Sequence, residues 1–108
     1  MKLRCTLVLP GLVDVSAHKV EVLIEDVTRA DAPAVTIARI QVPAKSLPKD
    51  GNRLGPVELE FRPPPGAERY VVRARLTVGR CLASGDLLTT TAISATGADS
   101  VELPLTRV

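Results

Sequence analysis

Apolar and polar residues alternate along most of this chain. Leu3, Cys5, Leu7 and Leu9 share one side of an extended segment, with Lys2, Arg4 and Thr6 on the other. Side chains of a β-strand point alternately to its two faces, so this is the period of a half-buried strand over 1–9. Pro10-Gly11 ends it. A second strand is predicted over 18–25, where Val20, Val22 and Ile24 oppose Lys19, Glu21 and Glu25. A third covers 34–42, with its faces less cleanly separated. Val57, Leu59 and Phe61 then alternate with Glu58, Glu60 and Arg62, ahead of a rigid Pro63-Pro64-Pro65-Gly66 corner. Tyr70, Val72, Ala74, Leu76 and Val78 face one way, Arg69, Arg73, Arg75 and Thr77 the other, and Gly79 marks a turn. A strand over 87–95, beginning as early as Cys81, precedes a turn at 96–100. Val101, Leu103 and Leu105 make the last strand. Two stretches read as loops: 26–33, rich in residues that bond their own backbone, and the Pro- and Gly-punctuated 43–56.

No helical period of useful length competes with these strands. Short half-polar strands at regular spacing, with turn signals between them, predict an all-β fold. The expectation is a single domain over 1–108, a seven- to eight-stranded antiparallel β-sandwich, immunoglobulin/transthyretin-like. Val, Ile and Thr number 27, and their branched side chains suit a pleated sheet. Phe61 and Tyr70 are the only aromatic residues, so the core must be aliphatic. Tyr70 follows a Pro-Gly corner and opens a strand. It is either a tyrosine corner, its phenol bonded to backbone a few residues upstream, or an ordinary core tyrosine.

Charge then excludes several functions. Fourteen Lys and Arg against twelve Asp and Glu leave +2, with no cationic concentration of the kind nucleic-acid or membrane-surface binders carry. The scarcity of aromatics argues against base stacking and against a ring-stacking sugar platform. A chain of 108 residues buries roughly two-thirds of its unfolded surface, enough for a core without staples. Cys5 and Cys81 belong to no CxxC pair, and with His18 alone no four-ligand zinc set can be assembled. The two thiols either form one disulfide in an exported protein or stay free and buried. No apolar run approaches the ~20 residues of a membrane span. The run after Lys2 and Arg4 is broken by Pro10-Gly11 and Asp14, a poor secretion signal, so residues 1–9 read as a strand; the chain as written reads as cytoplasmic, and its sequence does not assign a compartment.

Three segments carry a resemblance: Val20-Glu-Val-Leu-Ile-Glu-Asp-Val-Thr-Arg-Ala-Asp-Ala-Pro33, Tyr70-Val-Val-Arg-Ala-Arg-Leu-Thr-Val-Gly-Arg-Cys-Leu82, and Val101-Glu-Leu-Pro-Leu-Thr-Arg-Val108. They resemble, in the same order, the YscW/YbaY-type family of type III secretion lipoprotein chaperones, or pilotins, and their relatives of unknown role. Asp26-Val-Thr-Arg-Ala-Asp-Ala-Pro33 matches best. The resemblance implies a small exported or lipid-anchored β-sandwich without enzymatic activity. Its pilotin branch binds a secretin subunit and guides it to the outer membrane. This chain departs from the pattern in lacking a recognisable signal and lipid-anchoring cysteine, and in the length of 43–56.

Enzyme chemistry finds little material. His18 reads as an exposed turn histidine, and Cys5 alternates in phase with Leu3 and Leu7, which places it in the core, where thiols are inert. Glu25, Asp26 and Asp31 offer oxygens for a cation such as calcium, but Arg29 stands among them and the spacing is not that of a calcium loop. Asp26, Thr28, Asp31 and Pro33 read instead as turn residues that fix a hairpin. No cofactor is implied.

Binding is the better prospect. Arg73 and Arg75 form a basic strip with Arg69, which either pairs across strands with Glu58 and Glu60 or takes an acidic peptide or sugar. The 43–56 loop presents Lys45, Lys49 and Arg53 with Leu47 and Leu54, which either anchor the loop or meet a partner. The uncharged stretch holding Leu87, Thr89 and Thr91 is either buried between neighbours or open to strand addition by a peptide or a second copy. Pro104 suits an edge position. The leading expectation is a non-enzymatic module that recognises a protein segment by a sheet edge or groove. The alternative is an envelope-associated glycan-binding or structural domain.

Overall fold

The alternation of residues 2–8 becomes a central strand because both its neighbours need the same apolar face. The computed structural model describes residues 1–29 and 31–108. In chain order the strands are β1 (Lys2–Val8), β2 (Lys19–Asp26), β3 (Val35–Pro43), β4 (Lys49–Asp50), β5 (Arg53–Glu60), β6 (Tyr70–Thr77), β7 (Leu87–Leu88), β8 (Ile93–Ser94), β9 (Ser100–Pro104) and β10 (Thr106–Arg107). A 3-10 turn, Ala44–Ser46, follows β3. The smaller sheet runs β4-β5-β1-β9. The larger runs β10-β7-β6-β2-β3, with β8 pairing separately with β6.

The two sheets share one apolar cluster. Leu3, Cys5 and Leu7 of β1 meet Val20, Val22 and Ile24 of β2 and Val72 and Leu76 of β6 within it, each at most 1% exposed. The all-β sandwich is therefore as the alternation predicts. Within it, β1 pairs with β9 in parallel, not antiparallel. β9 enters from β8, which belongs to the opposite sheet, so no tight hairpin sets its direction.

Two other expectations change. Residues 43–56 are not irregular: they hold the 3-10 turn, β4 and the first residues of β5, and Leu54 is 1% exposed. Gly55 explains the misreading. It sits at φ +119 where β5 bulges against β1, and a Cβ there would lie 3.1 Å from the Cys5 carbonyl oxygen. The glycine marks a close strand crossing, not a loop. The predicted strand over 87–95 is likewise two short ones. Thr89 separates them, its N–H donating to the Ala74 carbonyl (3.0 Å) and its hydroxyl accepting from Ala74 N–H (3.2 Å).

Tyr70 is a core tyrosine, not a corner. Its hydroxyl reaches Met1 Sδ at 3.6 Å, a weak acceptor, and its ring meets Phe61 edge-on with centroids 5.8 Å apart. Tyr70→Phe is therefore expected to change stability by less than about 0.5 kcal/mol in denaturant melts, and a loss of ~1 kcal/mol or more would reveal a stronger acceptor.

Candidate functional site

The outer face of the larger sheet and its β3 edge hold the most distinctive arrangement. β2 lies between β3 and β6, with Gln41, Glu21 and Arg75 in one cross-strand row and Arg39, Leu23 and Arg73 in the next. Glu21 points away from the core yet is only 5% exposed, because the long side chains on both neighbours cover it. Gln41 Nε2 donates to Glu21 Oε2 (2.6 Å), and Arg75 Nε lies 2.9 Å from Oε1. Arg39 Nε stands 3.7 Å from the already bonded Oε2. Arg73 pairs with Glu25 at 3.0 Å.

β3 ends the sheet. Its pairing with β2 settles which backbone groups are left over. Ala44 N–H donates to the His18 carbonyl (3.0 Å), one step beyond the Lys19–Pro43 pair. Bonded and non-bonded pairs alternate in an antiparallel ladder, so Val42, Ile40 and Ala38 exchange bonds with β2. The N–H and C=O groups of Gln41 and Arg39 point to the open side. The same parity holds on β6, where Ala74, opposite Val22, bonds outward to Thr89.

This edge is nine residues long with no interior proline, whereas β4 and β10 are two residues each and β9 is five with Pro104 at its end. Ala38, Ile40 and Val42 are half-buried, although their β2 partners Ile24, Val22 and Val20 are fully buried. Val35, at the start of the strand, is 61% exposed. Sequence reasoning did not single out β3 as an edge. Its only trace there is the poor separation of faces over 34–42.

The other expected site residues fall in two places. Lys45, Leu47, Lys49 and Leu54 line a depression of about 180 Å³ with Asp14. Lys45 is exposed, but Leu54 belongs to the core, Leu47 packs against it, and Lys49 Nζ donates to the Val13 carbonyl (2.6 Å). Arg53 is held by Glu102 at 2.6 Å. Arg73 and Arg75 line a separate depression with Leu88 and Thr89. Their carboxylate partners lie on β2, not on Glu58 and Glu60; Glu58 pairs with Arg4 at 3.4 Å. Leu87 is fully buried, Thr89 is 9% exposed and Thr91 is exposed. The edge expected near Leu87 and Thr89 is already filled, since β7 lies between β6 and β10.

The 26–33 turn has a defined job. Asp26 Oδ1 accepts from the Thr28 N–H (2.9 Å) and hydroxyl, while Thr28 Oγ1 accepts from the Glu68 and Arg69 amides (2.9 and 3.0 Å). The turn thus pins the segment entering β6 as well as its own hairpin. Asp31 and Pro33 are exposed, and Ala30 lies outside the described residues. Bonding first to the Thr28 hydroxyl and then to its amide holds the Asp26 carboxyl below the usual carboxylate range. A depressed value adds stability above the ordinary pKa near ~4, and that stability is lost as pH falls through the folded value. Thr28→Val is expected to raise the Asp26 titration midpoint in an NMR titration and to loosen the entry to β6, because the Glu68 and Arg69 amides lose their acceptor. An unmoved midpoint would show that the hydroxyl does not set it.

The candidates for chemistry are scattered. Burial pushes the Cys5 thiol up to about 12, so it stays protonated. Both cysteines are free; Cys81 is exposed, not buried as the simpler sequence reading had it. His18 is not an exposed turn residue. Its side chain is 11% exposed, and Nε2 lies 3.8 Å from Asp86, itself buried in the turn before β7. Among the described residues no three His, Cys, Asp or Glu side chains gather as a metal set, and no helix is long and apolar enough to cross a membrane.

No family model matches the chain, and no curated protein is similar to it at a significant level. Among solved structures, an alternative pilotin from the type II secretion system of Vibrio cholerae has the same fold. The TM-score is 0.70 at 24% identity, and the match covers 100% of this chain and 96% of that one. The chain therefore has a pilotin-like fold.

Proposed function

We propose that this domain is a non-enzymatic binding module that recognises an extended segment of another protein, adding it as a strand to β3. The observation that carries this is the nine-residue open edge, with the Arg39 and Gln41 backbone groups unpaired among the described residues and half-buried Ile40 and Val42 beside them. An added strand would satisfy those groups and complete the burial of that apolar row, the two terms that drive strand addition. The fold shared with a type II pilotin supports a partner that is a protein. The resemblance of 20–33, 70–82 and 101–108 to the YscW/YbaY-type family points the same way. A catalytic reading has no comparable support, because the Cys5 thiol is buried and protonated.

Selection of nine-residue peptides from a random display library, followed by amide-exchange footprinting, tests the reading. Bound peptides are expected to protect Arg39 and Gln41. Arg39→Pro or Gln41→Pro removes an outward N–H without touching the β2 backbone ladder, so either is expected to weaken binding by about tenfold or more relative to Arg39→Ala or Gln41→Ala, which lose the same side chain, while the domain stays folded. Binders that protect only another surface, or that tolerate both prolines, would refute strand addition at β3.

A further inference from the structure

We infer, resting on that reading, that the segment β3 receives is acidic: apolar residues alternate in it with Asp or Glu. The outer face beside the edge carries more positive charge than the whole chain. Lys19, Arg39, Arg73, Arg75 and Arg80 gather there against Glu21 and Glu25, an excess of three, where the full chain carries +2.

The two carboxylates are spent on part of this set. Arg75 and Gln41 take the two oxygens of Glu21, and Arg73 takes Glu25. Arg39 is left with a 3.7 Å approach to an oxygen already bonded. Lys19 and Arg80 are exposed and have no carboxylate within ion-pair distance among the described residues. They line a polar depression of about 250 Å³ together with Gln41, Arg75, Thr77 and the already bonded Glu21.

The register places Arg39 and Lys19 in reach of an added strand, with Arg80 behind, across the depression that Lys19 lines. A neighbouring strand sits ~4.8 Å away, and its side chains alternate between the two faces as those of β3 do. One face would set apolar side chains beside Ile40 and Val42. The other would set side chains beside Arg39 and Gln41, with Lys19 reaching past the small ring of Pro43, its register partner. Acidic residues there find unspent cations, and opposite charges across strands stabilise pairing. A second copy fits poorly. Arg39 stands at the middle of the nine residues, so antiparallel pairing of β3 with itself would oppose two arginines.

The test uses capped nine-residue peptides alternating valine with glutamate, glutamine or lysine, titrated against the full chain with β3 amide signals as readout. At about 50 mM salt the glutamate peptide is expected to bind about tenfold more tightly than the glutamine peptide, with lysine weakest. The advantage should shrink at about 500 mM salt. Lys19→Glu with Arg80→Glu, both exposed, is expected to reverse the order of the glutamate and lysine peptides. Equal affinity for glutamate and glutamine peptides would overturn the acidic preference and leave strand addition standing. Failure of all three to perturb β3 would overturn both. A sulfated oligosaccharide that competes without protecting Arg39 and Gln41 would assign the charge to a glycan and overturn the inference.

Discussion

Leu7→Ala is expected to lower the stability of the domain by roughly 2–5 kcal/mol. Leu7 is fully buried near the end of β1, the strand that joins the smaller sheet together. It is paired with Leu54 of β5 on one side and Leu103 of β9 on the other, both essentially buried. Three leucines from three strands thus fill one layer. Truncating the middle one removes its transfer energy and leaves a cavity that strands held on both sides cannot collapse to fill. For a domain of this size each kcal/mol moves the melting midpoint by about 4–8 °C, so a fall on the order of 15 °C is expected by calorimetry. Leu47→Ala, at a half-buried position, should cost clearly less. A loss below ~1 kcal/mol for Leu7→Ala would mean that the layer is loosely packed.

Arg75→Leu is expected to cost about 1–3 kcal/mol, and adding Glu21→Leu is expected to recover most of that loss. The asymmetry comes from burial. Glu21 is covered while Arg75 is about half exposed, so the arginine can return to water and the carboxylate cannot. Losing Arg75 leaves the Glu21 charge with the Gln41 amide and a distant Arg39. Replacing both with leucine removes the stranded charge and sets apolar side chains beside Leu23 and Leu88, which already border this row. The half-exposed arginine keeps the single-variant cost below that of a fully buried pair. A complete double-variant cycle by urea denaturation measures the coupling. A double variant less stable than Arg75→Leu by more than ~1 kcal/mol would show that the pair contributes more than the apolar replacement can.

The strands of the core were legible because burial on one face writes itself into sequence at period two. Leu3, Cys5 and Leu7, and Val20, Val22 and Ile24, are all buried as their alternation requires. β5 was half hidden, since Gly55 and Pro56 look like loop punctuation but sit where that strand bulges past β1. The parallel β1–β9 pairing left no local trace, because the direction of a strand arriving from the other sheet depends on a long-range crossover. The site suffered most from this. Whether a strand is central or at an edge depends on strand order, and strand order is made by contacts far apart in sequence. The uncharged 87–93 stretch read as either buried or open to partners; Leu87 and Leu88 are paired with β6 and β10, and Ile93 with β6. The long open edge is β3, whose mixed faces reflect an inner row, Ala38, Ile40 and Val42, that is only half-buried. The arginines of β6 were visible, but their partners on β2 became known only from the register.

Amide hydrogen exchange across β3, with and without the glutamate peptide, tests the central claim most directly. In the free domain, Ala38, Ile40 and Val42 are expected to exchange slowly, while Arg39 and Gln41 exchange about a hundredfold faster because nothing accepts from them. With peptide at saturation, Arg39 and Gln41 should slow by about tenfold or more, giving an unbroken run of protection along the strand. Protection of Arg39 and Gln41 already in the free domain, or no change on adding peptide, would contradict an open edge that receives a strand.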